Sequence, residues 1–205
     1  MSKRLLLILF LGVSTVLSAQ KKDGVAPTTV KPQQPVKIDY TMPGAPMPDM
    51  VLLSLDTISK TVKEKNHGIS KIWKKEITKT VKSNTFTNQD FANDANLIVM
   101  MFNPTCGHCI EETEVLKRSV GLFKKTKVVL MANRQMEKYL PDFVKERKTK
   151  AFYPTFTVGL DSANFINSVF LYKTLPQINI YSPERKLLKI YNGDVAIDSL
   201  KPYIQ

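Results

Sequence analysis

The sequence predicts an α/β sandwich built around a largely parallel central sheet. Three observations carry that prediction. Leu97–Phe102 is an unbroken apolar run, and Lys127–Ala132 is nearly one; each is long enough for a strand buried on both faces. A segment with helical spacing of its apolar residues follows each run. The chain has 205 residues, 43% apolar and 23% charged, which is enough to bury a core with only two cysteines. The same composition excludes a collagen-like, fully disordered or multi-pass membrane chain. It also excludes a disulfide-dense mini-scaffold and a four-cysteine zinc site.

Residues 1–19 read as a secretory signal. Lys3 and Arg4 supply the positive end, Leu5 to Val13 an apolar run broken only by Gly12, and Ser18-Ala19 the small residues before a cut. An uncleaved anchor is the competing reading, although the run is shorter than the roughly 20 apolar residues of a spanning helix. Export to the periplasm or cell envelope follows, where disulfide chemistry is permitted. Six of the twelve prolines fall between Gln20 and Met50. Proline removes backbone donors and favours extended chain, so residues 20–45 form a spacer or an untethered tail. The folded domain then spans 46–205.

Val51–Leu55 reads as its first strand. Thr57 to Ser83 is ambiguous. Ile69, Ile72, Trp73 and Ile77 recur near helical spacing, whereas the alternation from Ile77 to Val81 fits a strand. Cys106 to Phe123 reads as a helix with Val115, Leu116, Val120 and Phe123 on its apolar face. Arg134 to Arg147 reads as another, interrupted or kinked at Pro141. Thr155–Val158 is a strand and Asn164–Leu171 a short helix. Gln177–Tyr181 and Leu187–Tyr191 form an antiparallel pair around Ser182–Arg185, and Asp198–Ile204 a closing helix.

The chemistry lies in Cys106-Gly107-His108-Cys109, which follows a buried strand and opens a helix. A helix N-terminus offers unpaired N–H groups and a partial positive charge. Such a site lowers a thiol from about 8.5 to roughly 3.5–7.5 and so favours the nucleophilic thiolate. Cys106 is therefore the expected nucleophile. Cys109, one turn on, is the expected resolving thiol that breaks a mixed disulfide. Three other readings compete. A structural disulfide would close too short a loop to stabilise much. A zinc site would need two more ligands, and His67 and His108 are the only histidines. An inert buried pair leaves the strand–turn–helix context unexplained. No metal and no cofactor are expected.

These residues, with Leu97–Cys109, Val128–Asn133, Thr174–Tyr181 and Leu187–Gly193, resemble the thioredoxin superfamily. The likeness is greatest to extracytoplasmic thiol–disulfide oxidoreductases of the TlpA/ResA type. It covers about 46–204. The resemblance implies a thioredoxin-like three-layer α/β/α sandwich with an N-terminal extension and a central mixed sheet. It also implies a cis Leu175–Pro176 bond that docks substrate beside the cysteines; an ordinary trans proline opening a strand is the alternative. Two departures stand out. Thioredoxins place an acidic relay residue where this chain has Met100, and many have Trp where it has Thr105. ResA-like proteins carry a glutamate matching Glu112. It is then either the proton acceptor for Cys109 or, like its neighbours Glu111 and Glu114, a solvated helix carboxylate.

The direction of electron flow is open from sequence. Gly107-His108 matches the disulfide-isomerase dipeptide, and a histidine beside the cysteines favours the thiolate and a more oxidising site. The TlpA/ResA likeness implies reduction, with protein thiol or disulfide substrates and a membrane electron donor. The net charge is +12, and the signal carries two of those positive charges. Eight lysines crowd 57–83. They suit an acidic partner or the envelope surface, or simply a solvated face. Nucleic acid is not an expected partner. Three classes remain: an oxidoreductase, a non-catalytic thioredoxin-fold binding module for a thiol partner or metal, and a structural envelope protein that uses the basic segment as an adhesive.

Overall fold

A computed structural model of the chain describes residues 38–65 and 76–204, with 56–65 and 76–82 described by their backbone alone. The signal reading at 1–19 and most of the spacer lie outside the described residues, as do Ile69, Ile72, Trp73 and His67. Among the described residues, seven strands form one sheet: β1 (Val51–Lys65), β2 (Glu76–Thr87), β3 (Leu97–Phe102), β4 (Lys127–Ala132), β5 (Phe156–Asp161), β6 (Gln177–Tyr181) and β7 (Leu187–Asn192). Their order is β2-β1-β5-β4-β3-β6-β7. The three central strands are parallel, and every pairing outside them is antiparallel. The sheet is therefore mixed.

Among the described residues, three α-helices lie between strands, α1 (Gly107–Arg118), α2 (Leu140–Glu146) and α3 (Phe165–Val169), and α4 (Ile197–Leu200) follows β7. The alternation of side chains along β3 and β4 divides the apolar residues into two cores. Ile98, Met100, Phe102, Val128 and Leu130 pack with Leu116 of α1, Leu140 and Phe143 of α2 and Leu200 of α4. Leu97, Val99, Met101, Val129 and Met131 pack on the other side with Phe165, Ile166 and Val169 of α3. Both faces of the sheet are covered, which is why the central runs are apolar throughout rather than alternating.

Several expected elements change. The backbone from Glu76 to Thr87 is a strand, so alternation decides that stretch over helical spacing. It pairs with β1 from Val51↔Thr87 to Lys65↔Glu76 across one register shift, a long hairpin. The Arg134–Arg147 helix is shorter than its periodicity suggests. Pro141 lies in the first turn of α2, where a missing N–H costs nothing, so it starts the helix instead of kinking it. The first long helix ends at Arg118, and a 3₁₀ turn at Val120–Leu122 carries the chain on to buried Phe123. α4 likewise gives way to a 3₁₀ turn at Lys201–Tyr203.

β1 reaches β5 through Leu52↔Asp161 and Leu53↔Leu160. The two strands approach so closely at Gly159 that a Cβ there would lie 2.6 Å from the Leu53 carbonyl oxygen. Within the span read as spacer, backbone bonds already tie Gly44 and Ala45 to Leu187, each at 2.8 Å.

Candidate active site

β3 ends at Phe102, and an asparagine turn delivers the chain to α1. Asn103 Oδ1 accepts from the Thr105 N–H and from Thr105 Oγ1, both at 3.0 Å. The Cys106 N–H donates to the Asn103 carbonyl at 3.1 Å. Asn favours such turns because its side chain closes a ring with its own backbone. Thr105, where many thioredoxins have Trp, thus has its hydroxyl committed to the turn. Cys106 is the N-cap of α1 in extended conformation, and its carbonyl receives the Ile110 N–H at 3.0 Å. The cap side chain is a thiol that makes no capping hydrogen bond, so the positive helix end bears on sulfur. Cys106 is half-buried, Cys109 is fully buried, and both are free thiols.

Cys109 packs in the same core as Met100. Burial pushes its thiol up to about 12; a backbone hydrogen bond with Asn103 opposes this, and Cys106 and Asp194 add to it. The buried thiol therefore holds its proton. The Thr113 hydroxyl donates to the Cys109 carbonyl at 2.8 Å and fastens this turn of helix.

Glu112 is not a solvated carboxylate. It is 2% exposed, in contrast to exposed Glu111 and to Glu114, which pairs with Lys117 at 2.9 Å. The Val195 N–H donates to Glu112 Oε2 at 3.0 Å, whereas Oε1 is buried with no hydrogen-bond partner. Burial raises the proton affinity of the carboxyl, the Val195 bond offsets part of that, and the charge of Asp194 adds to it. Burial therefore favours the protonated carboxyl, and the partnerless Oε1 is open to a proton, unlike the oxygens of a solvated carboxylate.

His108 is exposed and lies 3.0 Å from Asp194, between Nδ1 and Oδ2. A Cβ on Gly107 would meet nothing within 4 Å, so crowding does not demand glycine there. The Leu175–Pro176 bond is cis, Pro176 is buried and Leu175 half-buried. The Gly193 N–H donates to the Pro176 carbonyl at 2.8 Å, and Gly193 has φ +78°, a left-handed conformation that suits glycine. Three consecutive residues after β7 thus hold three parts of the site: Gly193 holds Pro176, Asp194 holds His108 and Val195 holds Glu112. Sequence reasoning missed Asp194 and Val195. The only local signal was a glycine ending the last hairpin.

β3 and β6 are antiparallel neighbours with Met101 opposite Gln177. The end of β3, which leads to Cys106, and the start of β6, which follows Pro176, therefore lie at one end of the sheet. Solved structures share this architecture. A thiol:disulfide interchange protein from a Bacteroides species is similar over 80% of this chain and 91% of its own, with TM-score 0.55 and 16% identity. The thioredoxin domain of a thiol-disulfide oxidoreductase from Bacteroides vulgatus matches 78% of this chain and 94% of its own, with TM-score 0.52 and 16% identity. This chain has the thioredoxin fold. No protein-family model and no curated protein matches it. In this thioredoxin fold the hairpin of β1 and β2 is the N-terminal extension. Among the described residues, no group of three or more His, Cys, Asp or Glu is arranged to hold a metal ion.

Proposed function

We propose that the protein is an exported thiol–disulfide oxidoreductase that acts on protein cysteines through Cys106 and Cys109, as a reductase or isomerase. One observation carries the reading. A half-buried thiol caps a helix, and a fully buried, protonated thiol follows one turn later, at the end of the sheet where the cis Pro176 stands. The fold it shares with thiol–disulfide oxidoreductases supports this reading.

The Cys106 thiolate attacks one sulfur of a substrate disulfide. That S–S bond breaks, the departing substrate thiolate takes a proton, and a mixed disulfide joins Cys106 to the substrate. Cys109 then loses its proton to Glu112, whose partnerless Oε1 is free to receive it. The Cys109 thiolate attacks Cys106 Sγ, forms the Cys106–Cys109 disulfide and frees the second substrate thiol. Two electrons pass from the protein dithiol to the substrate. Leu175 and Pro176 dock the substrate chain, and Gly107 and His108 tune the pair. A dithiol donor must then reduce the Cys106–Cys109 disulfide, and a membrane electron donor supplies it in the cell. The signal at 1–19 and the spacer at 20–45 support action in the periplasm or envelope. Among the described residues, no helix is long and apolar enough to cross a membrane.

Reduction of insulin with a dithiol donor tests the proposal. The parent turns over and Cys106→Ser does not. Cys109→Ala strands the substrate on Cys106, and the trapped adducts name the partners. A parent without turnover would replace the enzyme with a binding module.

A further inference from the structure

We propose that Asp194 is a positioning residue that sets the direction of this dithiol, by holding and neutralising His108 so that the pair favours reducing its substrates. The inference rests on the oxidoreductase reading and deepens it. The CGHC dipeptide by itself pulls the other way, because a cationic histidine beside the cysteines stabilises the thiolate and the reduced protein. A protein whose reduced form is stabilised is an oxidant.

Here the histidine does not stand alone. Its Nδ1 lies 3.0 Å from Asp194 Oδ2. An ionised carboxylate only accepts hydrogen bonds, so Nδ1 carries the hydrogen and the ring orientation is fixed. The backbone of Asp194 is held on both sides. The N–H groups on either side of it are spent on the Pro176 carbonyl at 2.8 Å and on Glu112 Oε2 at 3.0 Å. The backbone that carries the carboxylate is therefore fixed beside the site.

His108 lies against it, and Cys109 and Glu112 feel its charge. Asp194 offsets any positive charge on the first, and its negative field holds protons on Cys109 and Glu112. Both effects disfavour thiolate. Oxidised protein and two glutathione thiols exchange with reduced protein and one glutathione disulfide, two electrons passing to the protein. Asp194 pushes that balance towards the oxidised protein, which leaves the reduced protein the stronger reductant.

The test is the glutathione exchange equilibrium of four proteins: parent, Asp194→Asn, His108→Gln and the double variant. Asp194 is 56% exposed in its side chain, so the amide fits without repacking. Asp194→Asn shifts the equilibrium towards reduced protein by about tenfold, which is about 30 mV for two electrons. In the His108→Gln background the same substitution shifts it by less than half as much on a logarithmic scale. An unchanged equilibrium, a shift towards oxidised protein, or a full-sized shift surviving in His108→Gln would each overturn the role of Asp194. A purely structural contact would move the melting temperature and not the equilibrium. A parent that forms no reversible Cys106–Cys109 disulfide would instead overturn the oxidoreductase reading, and this inference with it.

Discussion

Two carboxylates are buried among the described residues, Asp161 at the end of β5 and Glu112 in α1, and they are treated oppositely. Asp161 accepts three backbone N–H groups: Ala163 and Phe165 on Oδ1, each at 3.1 Å, and Ile166 on Oδ2 at 2.8 Å. Both oxygens are used, and together they cap α3 in place of Asn164, whose backbone is left-handed there. Glu112 receives one N–H, and its other oxygen has none. A carboxylate whose oxygens are saturated with backbone donors serves architecture. One buried and left short of donors is poised to gain a proton. The difference separates a residue that holds the fold from one suited to chemistry, without reference to any motif.

That contrast can be broken in four ways, taken from the largest effect down. The first is at the thiol one turn before Glu112. With Cys109 at about 12, about one molecule in 10⁴ carries its thiolate at pH 8. Iodoacetamide at that pH therefore labels Cys106 at least about 10³-fold faster than Cys109. Peptide mapping that found equal labelling would remove the need for a proton acceptor.

The second is Asp161→Asn. The amide turns a donor towards backbone N–H groups and leaves at least one of them buried and unpaired. A loss of about 3 kcal/mol is expected in urea unfolding, with unchanged turnover per folded molecule. A loss under about 0.5 kcal/mol would mean that Asp161 does not stabilise the start of α3.

Third, Glu112→Gln keeps an acceptor for Val195 but cannot take a proton. Release of substrate from the mixed disulfide slows by about 10²-fold, close to 2.7 kcal/mol in the barrier. Stopped-flow turnover at an unchanged rate would assign the proton elsewhere.

The smallest effect is the pH dependence of stability in that same variant. The ordinary carboxyl value is near 4.5, and folding raises it at Glu112, mainly through burial. The folded protein thus binds this proton more tightly than the unfolded chain does. Its contribution to stability is complete below about pH 4.5 and is lost as pH rises through the raised value. Glutamine has no such loss, so Glu112→Gln gains on the parent as pH rises from 4 to 8. A constant difference across that range would mean that Glu112 titrates normally.

How much of this was legible in the sequence follows from the range of each interaction. Cys106, Cys109, His108 and the β3–α1 junction are local, and four adjacent letters after an apolar run disclose them. Pro176 was reachable through a resembling segment. Glu112 was visible only as a spacing. Its burial depends on Val195, 83 residues later, which no local pattern announces. Asp194 is 86 residues from His108, so the pair exists only because β7 returns beside β6. The second strand was ambiguous for another reason. A short segment with scattered isoleucines satisfies both periods, and pairing with β1 decides between them. Arg185 was read merely as part of a turn. It reaches back to the carbonyls of Ala95 and Phe91, and burial lowers its proton affinity.

The strand order has a consequence for the order in which the chain can assemble. β1 is made early, yet its neighbour in the sheet besides β2 is β5, more than 100 residues later. As the chain emerges, β1 and β2 can pair with each other but must wait for Phe156–Asp161 before they have a sheet to join. During that wait one edge of β1 is an unpaired template for other chains. The lysine-rich sequence of the hairpin is the kind of composition that keeps waiting edges apart by mutual repulsion. At Gly159, where the late strand finally meets the early one, the lack of a side chain lets the two backbones close. The docking of the first two strands on this sheet is therefore governed by charge while the partners are separate and by a missing methyl group when they meet.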